Sequence, residues 1–250
     1  VRAYLDFNII VAIRKGEFTI DKILQIDQGI TDFPFSASHI QEIDNISHPD
    51  TSKRNAYIDL HLETISSITK NLYLYQKLNN DVVLINESPA EVLKTIREVP
   101  FAKPAMQSFV NMVTAEQKSE IRRMLGINSQ ELNNYSPKEV VDQLNTVLTG
   151  TGSSFLGLIE TAIKMNSQGH TFGLSERFAA IYETLDLFGY WKDKKTNTSN
   201  YARAWDSNHA FFATSCKYFI SDDFRNRNKA RVAYHLNNIE TKVIDSNGQE

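Results

Sequence analysis

Two stretches at opposite ends of the chain place carboxylates where apolar runs stop. Arg2-Ala-Tyr-Leu-Asp-Phe-Asn8 reads as a strand that carries Asp6 near its end, with Asn8 two residues on. Strands deplete aspartate, so an acid inside such a run points to chemistry; the plain alternative is an acid that caps the next turn. Tyr218-Phe-Ile-Ser-Asp-Asp223 repeats the arrangement: a short apolar strand, Ser221, then Asp222 and Asp223, either of which could be the functional acid. In open α/β sheets the carboxyl ends of strands are where ligands bind. Asp206 lies ahead of this strand and reads as the opening residue of a helix. Glu42 falls on the first turns of another helix, where Ser38 and Gln41 fit a capping box. Asp206 and Asp223 also suit helix N-caps, and Glu42 and Asp44 suit a solvated helix face.

Carboxylates that converge repel one another, which raises some of their pKa values unless a cation relieves the repulsion. Hard oxygen ligands suit Mg²⁺ or Mn²⁺ rather than zinc. Such a metal lowers the pKa of a water, orients it and neutralises charge developing on a phosphodiester, either alone or as one of a pair about 4 Å apart. Asp6, Glu42, Asp206 and Asp223 are the candidate catalytic ligands, with Asp222 as a further candidate for the metal. Asn8 and Ser221 are candidates to hydrogen-bond them. His209 follows Asp206 by three residues on one helical face and is a candidate supporting group or a core histidine. Arg225, Arg227, Lys229 and Arg231, with Arg203, Lys192, Lys194 and Lys195, suggest a basic rim for nucleic-acid phosphates around an acidic centre; the alternative is a solvated helix face.

Together these stretches resemble the PIN-domain nucleases. The first strand ends in Leu5-Asp6-Phe7-Asn8, a serine-led helix runs from Ser36 to Glu42, Asp206 precedes the late strand, and Tyr218-Phe-Ile-Ser-Asp-Asp223 follows the family's pattern of tyrosine, apolar pair, Ser/Thr and acids. The resemblance covers the first 45 or so and the last 50 to 60 residues. It implies a mostly parallel central sheet with helices on both faces, and a metal-dependent endonuclease that takes RNA, with DNA as the other substrate. The long stretch between Glu42 and Asp206 exceeds what a minimal domain of that family needs.

Strands are expected near 2–7, 32–35, 81–86, 217–221 and 241–245, alternating with helices. That order predicts an α/β fold with a mostly parallel sheet covered on both faces. Residues 55–79 carry helical spacing throughout and read as one long helix. Ser88-Pro-Ala-Glu91 and Ser136-Pro-Lys-Glu139 are two helix starts with serine caps. The expected organisation is a PIN-like core of residues 1–99 and 191–250, with 100–190 as a helical insertion.

Bulk properties restrict the classes. The 250 residues are 41% hydrophobic and 23% charged, ordinary for a globular chain, and the net charge of −3 confines any nucleic-acid footprint to a local patch. The single cysteine, Cys216, excludes an internal disulfide and a cysteine zinc site and reads as a buried thiol. No run approaches the ~20 apolar residues of a membrane span. No signal-peptide pattern opens the sequence, so the cytoplasm is the expected location. Gly150-Thr-Gly lacks the lysine of a phosphate-binding loop. The rival to a nuclease is a non-catalytic PIN-like interaction module, on its own or within a larger nucleic-acid-processing assembly, in which the acids serve as caps. A homo-oligomer or a protein partner is compatible with either.

Overall fold

The computed structural model describes residues 1–98, 114–165, 173–192 and 199–250. The chain divides into two compact units. The first comprises Val1–Pro100, Phe212–Phe224 and Glu240–Glu250; the second comprises Phe101–Phe211 and Arg225–Ile239. One boundary between the units falls at residue 100. At the other end, residues 191–211 and 225–239 group with the helical unit rather than with the sheets.

The first unit is mixed α/β. It runs β1 (Ala3–Leu5), α1 (Phe7–Arg14), α2 (Ile20–Ile26), β2 (Phe35–Ser36), α3 (Ala37–Asp44), α4 (Thr51–Thr69), β3 (Leu72–Gln76), β4 (Val82–Asn86) and α5 (Pro89–Glu98). The chain returns late to add β5 (Tyr218–Ile220) and β6 (Lys242–Ile244). One open sheet has the order β1-β5-β6, all parallel, and the other has β2 parallel to β3 and β3 antiparallel to β4. An isolated parallel bridge pairs Arg2, just before β1, with Asp32, ahead of β2. In the central strand β5, Tyr218, Phe219 and Ile220 are all buried, as expected for a strand covered on both faces. Ala3 and Leu5 of β1 stand opposite Tyr218 and Ile220. Leu5, Ile9, Ile40, Ile65, Ile220 and Ile244 lie in one apolar core that draws on both sheets and the helices around them.

The region expected as one helix over 55–79 is a helix followed by a strand. Asp50 caps α4 by accepting from the Ser52 and Lys53 N–H groups. The helix ends because Lys70 and Asn71 both take left-handed backbone, at φ 52 and 62. Leu72-Tyr-Leu-Tyr-Gln76 then pairs with β4 as a hairpin. The alternation in that run was hidden because Leu72 and Tyr75 also continue the helical spacing.

In the second unit, every described element is helical: α6 (Ala115–Met124), α7 (Ser129–Leu132), α8 (Pro137–Leu148), a single 3₁₀ turn, α9 (Phe155–Met165), α10 (Leu174–Phe188), most of α11 (Ser199–Ala213) and nearly all of α12 (Phe224–Asn237). Ser136 and Glu139 form the capping box that their spacing suggests. The Phe178 ring packs against Phe211 and Tyr234, with centroids 6.2 and 5.8 Å away. Gly189 closes α10 at φ 83, and a Cβ there would meet Ser129 Oγ at 2.2 Å, so the turn admits only glycine. Among the described residues, no helix is long and apolar enough to cross a membrane. The proline breaks at 100 and 104, and Lys194 and Lys195, lie outside the described residues.

Candidate functional site

Asp6 follows β1 directly and is the N-cap of α1, with extended backbone at φ −63 and ψ 157. Its N–H continues the sheet by donating to Ile220 O at 2.8 Å. The carboxylate is buried, 3% exposed, and hydrogen-bonded at both oxygens. Oδ1 accepts from the Phe7 N–H at 2.8 Å; Oδ2 accepts from Asn8 Nδ2 at 2.9 Å and from Ser221 Oγ at 2.5 Å. Ser221 Oγ itself accepts from Asn8 Nδ2 and from the Asp223 N–H, each at 3.1 Å. Both of its lone pairs are therefore engaged, and its proton points to Asp6. Asn8 Oδ1 takes the Asp222 N–H at 3.1 Å, which fixes the amide orientation. Asn8 and Ser221 thus hold the acid, as their positions in the sequence suggest.

Glu42 is positioned by the start of α3. The cap is Ser36, not Ser38: its Oγ accepts from the Ser38 N–H at 3.3 Å, and His39, rather than Gln41, completes the box. The Ser36 N–H donates to His39 Nδ1 at 3.1 Å, and Nε2 lies 2.8 Å from Leu5 O. A nitrogen that accepts cannot carry the proton, so His39 is neutral and donates from Nε2 to the end of β1. The Tyr4 hydroxyl joins this group, 2.6 Å from Ser36 Oγ and 3.3 Å from His39 Nδ1. Burial, reinforced by the Asp6 and Glu42 charges, holds the Tyr4 phenol well above its ordinary pKa. His39 precedes Glu42 by three residues, so locking the histidine to β1 sets the face on which Glu42 projects. The carboxylate oxygens of Asp6 and Glu42 come within 4.8 Å of one another. Asp44, two residues on, is instead taken by Arg97 Nε at 2.9 Å. Tyr4 and His39 escaped sequence reasoning; the one available signal was a histidine three residues after a serine cap.

The other acids sit differently. Asp222 and Asp223 are both exposed. The Asp222 carboxylate accepts from the Ser246 N–H at 2.9 Å and so ties β5 to the turn after β6. The Asp223 N–H connects to Asp6 through the Ser221 hydroxyl. Asp206 does not open a helix. It lies well inside α11, which begins at Ser199, because the preceding Tyr-Ala-Arg-Ala-Trp run continues the helix. His209 lies one turn further along α11 and is fully buried.

Three of the residues expected to line a basic rim are core residues. Arg203, Arg227 and Lys229 are only 2%, 8% and 1% exposed; Arg225 is half-buried. Arg203 Nε meets Glu183 Oε1 at 2.6 Å and its Nη1 lies 3.4 Å from Asp186 Oδ2; Lys118 Nζ lies 2.7 Å from the same oxygen. Burial raises the Asp186 pKa, but the Arg203 and Lys118 charges outweigh it and hold the carboxyl below its ordinary value. α12 likewise turns Asn226, Ala230 and Tyr234 inward, and Asn226 Oδ1 accepts from Tyr182 OH at 2.7 Å. Basic residues in this helix follow its buried face, which composition alone does not reveal. Lys192 is exposed. Cys216 is buried, and burial pushes its thiol up to about 12, which rules out a ready nucleophile.

The Asp6–Glu42 pair suits a hard cation. An octahedral ion bound at about 2.1 Å holds two ligand oxygens about 3 Å apart in cis and about 4.2 Å apart in trans, within the 4.8 Å limit seen here. An ionised carboxylate offers about four lone-pair sites, and Asp6 uses at least three of them on its neighbours. Neither family models, nor curated proteins, nor solved structures give a match to this chain.

Proposed function

We propose that the protein is a metal-dependent endonuclease that hydrolyses phosphodiester bonds, with RNA preferred. The observation that carries the reading is the approach of the Asp6 and Glu42 carboxylates just beyond β1, on a rigid capped framework. Asp6 and Glu42 would hold Mg²⁺ or Mn²⁺, which supplies an activated water and neutralises charge on the phosphodiester. The resemblance to PIN-domain nucleases adds Asp206 and Asp223, with Asp222 as the alternative to Asp223. The preference for RNA over DNA comes from that resemblance as well.

One observation favours a second reading, an interaction module without catalysis. Asp6 is so fully hydrogen-bonded that it serves as a structural joint between β1, α1 and the turn after β5. Mn²⁺ titration separates the two. For the nuclease, Mn²⁺ raises the melting temperature of the wild type and supports cleavage of single-stranded RNA. Glu42→Gln, which leaves the Asp6 bonds intact, weakens both, with cleavage down ~10²-fold or more. A wild-type protein that neither responds to Mn²⁺ nor cleaves RNA or DNA leaves only the module.

A further inference from the structure

A buried hydroxyl one turn from Glu42 has no hydrogen-bond partner among the described residues. Ser38 is 1% exposed, and its N–H is committed to Ser36 Oγ at 3.3 Å, but its own Oγ bonds nothing. Buried hydroxyls without partners are uncommon, because the group loses water and regains nothing. Ser38 and Glu42 are four residues apart in α3 and share one helical face. Helical side chains lean toward the N-terminus, so the Glu42 carboxylate extends toward the turn that carries Ser38. That turn is fixed by the Ser36–His39 box and by the bond from His39 to Leu5.

We infer that Ser38 Oγ accepts a hydrogen bond from a water on the cation held by Asp6 and Glu42. Ser38 is then a positioning residue, an outer-sphere partner of the metal rather than a ligand. The inference rests on the metal-site reading above. Mg²⁺ and Mn²⁺ bound by few carboxylates keep several waters, and each water needs an acceptor for its protons. Ser38 supplies one such acceptor from the protein side, opposite the solvent from which substrate arrives.

The test is calorimetric titration of the metal-free protein with Mn²⁺ alone, alongside melting of the metal-free form. Ser38→Ala is expected to raise the Mn²⁺ Kd about 10-fold or more, in line with other outer-sphere partners. Its metal-free melting temperature is expected to hold or rise, since the substitution removes an unpartnered polar group. Ser38→Thr, which keeps the hydroxyl, is expected to bind Mn²⁺ more nearly as the wild type does. Wild-type Mn²⁺ affinity in Ser38→Ala overturns the role of Ser38 and leaves the metal site standing. A sharp fall in the metal-free melting temperature overturns it too, by showing that the hydroxyl serves the fold. A wild-type protein that takes up no Mn²⁺ overturns the metal site itself.

Discussion

Asp6→Asn is the substitution that separates crowded charge from a structural joint. Residue types alone suggest that removing one of several neighbouring carboxylates relieves repulsion and stabilises the metal-free protein. The hydrogen bonds predict the reverse. An asparagine has one acceptor oxygen where Asp6 has two. If that oxygen faces Asn8 and Ser221, the NH₂ group meets the Phe7 N–H, which now donates to Oδ1 at 2.8 Å. If the amide is turned over, its NH₂ meets the Asn8 NH₂ and a Ser221 hydroxyl whose acceptor sites are filled by Asn8 and Asp223. Either way at least one donor–donor contact remains, at a cost of about 1–3 kcal/mol. The bonds that survive change from charge-assisted to neutral, about 1 kcal/mol each, and α1 loses a negative charge at its N-terminus, about 0.3–1 kcal/mol. The total of about 3–5 kcal/mol is a large part of a typical folding free energy. For a chain of 250 residues it corresponds to a fall in melting temperature of about 6–20 °C. Urea and thermal denaturation with a chelator present measure it directly. An unchanged or raised stability would falsify the account of the joint.

Two further outcomes follow from buried charge. His61 is 6% exposed, and burial, aided by the Arg14 charge, lowers its pKa to about 4. Its folded value lies below the unfolded one of about 6.5, so the unfolded chain takes up a proton first as pH falls. His61 therefore contributes stability that is fully present above about pH 6.5 and lost by about pH 4, roughly 2–3 kcal/mol across that window. His61→Leu is expected to flatten this part of the stability profile; a wild-type slope in the variant would refute it. Arg203→Ala removes one cation from the cluster that Glu183 and Asp186 form with Lys118 in the helical unit. Removing one partner of a buried ion cluster costs about 3–5 kcal/mol, so denaturation should show a large loss with no change in Mn²⁺ affinity. A Ser38-like pattern, with metal binding altered and stability intact, would contradict the structural role assigned to Arg203.

The sequence displayed most strongly what local chemistry controls. Serine caps at 88 and 136, the apolar runs of β1 and β5, and the acids at their ends were legible because each depends on neighbours in the chain. Asn8 and Ser221 were legible as partners for an acid because short polar side chains next to a strand end have few other uses. The failures share one cause: the deciding contact is distant or ambiguous in period. β3 merged with α4 because Leu72 and Tyr75 satisfy both spacings and the Lys70–Asn71 break leaves no proline or glycine. Asp206 looked like a helix start because aspartate caps well, although the helix had begun earlier. Arg203 and Lys229 looked solvated because the acids near them come from another helix. The role of His39 needed Tyr4 and Leu5, from a strand far upstream.

The bond between Ser221 and Asp6 spans 215 positions, and the strands beside it pair over a similar interval. A ribosome that adds about 5–20 residues per second needs on the order of 10–40 s to cover that interval. Throughout that time β1 has no β5, and Asp6 lacks both the serine and the Ile220 carbonyl that complete its environment. Ala3, Tyr4 and Leu5, all buried in the finished protein, face the cell as an open strand edge. The nascent chain is thus most prone to wrong association, or most in need of a chaperone, before β5 emerges. A truncation that removes β5 and β6 should aggregate rather than persist as a folded N-terminal half.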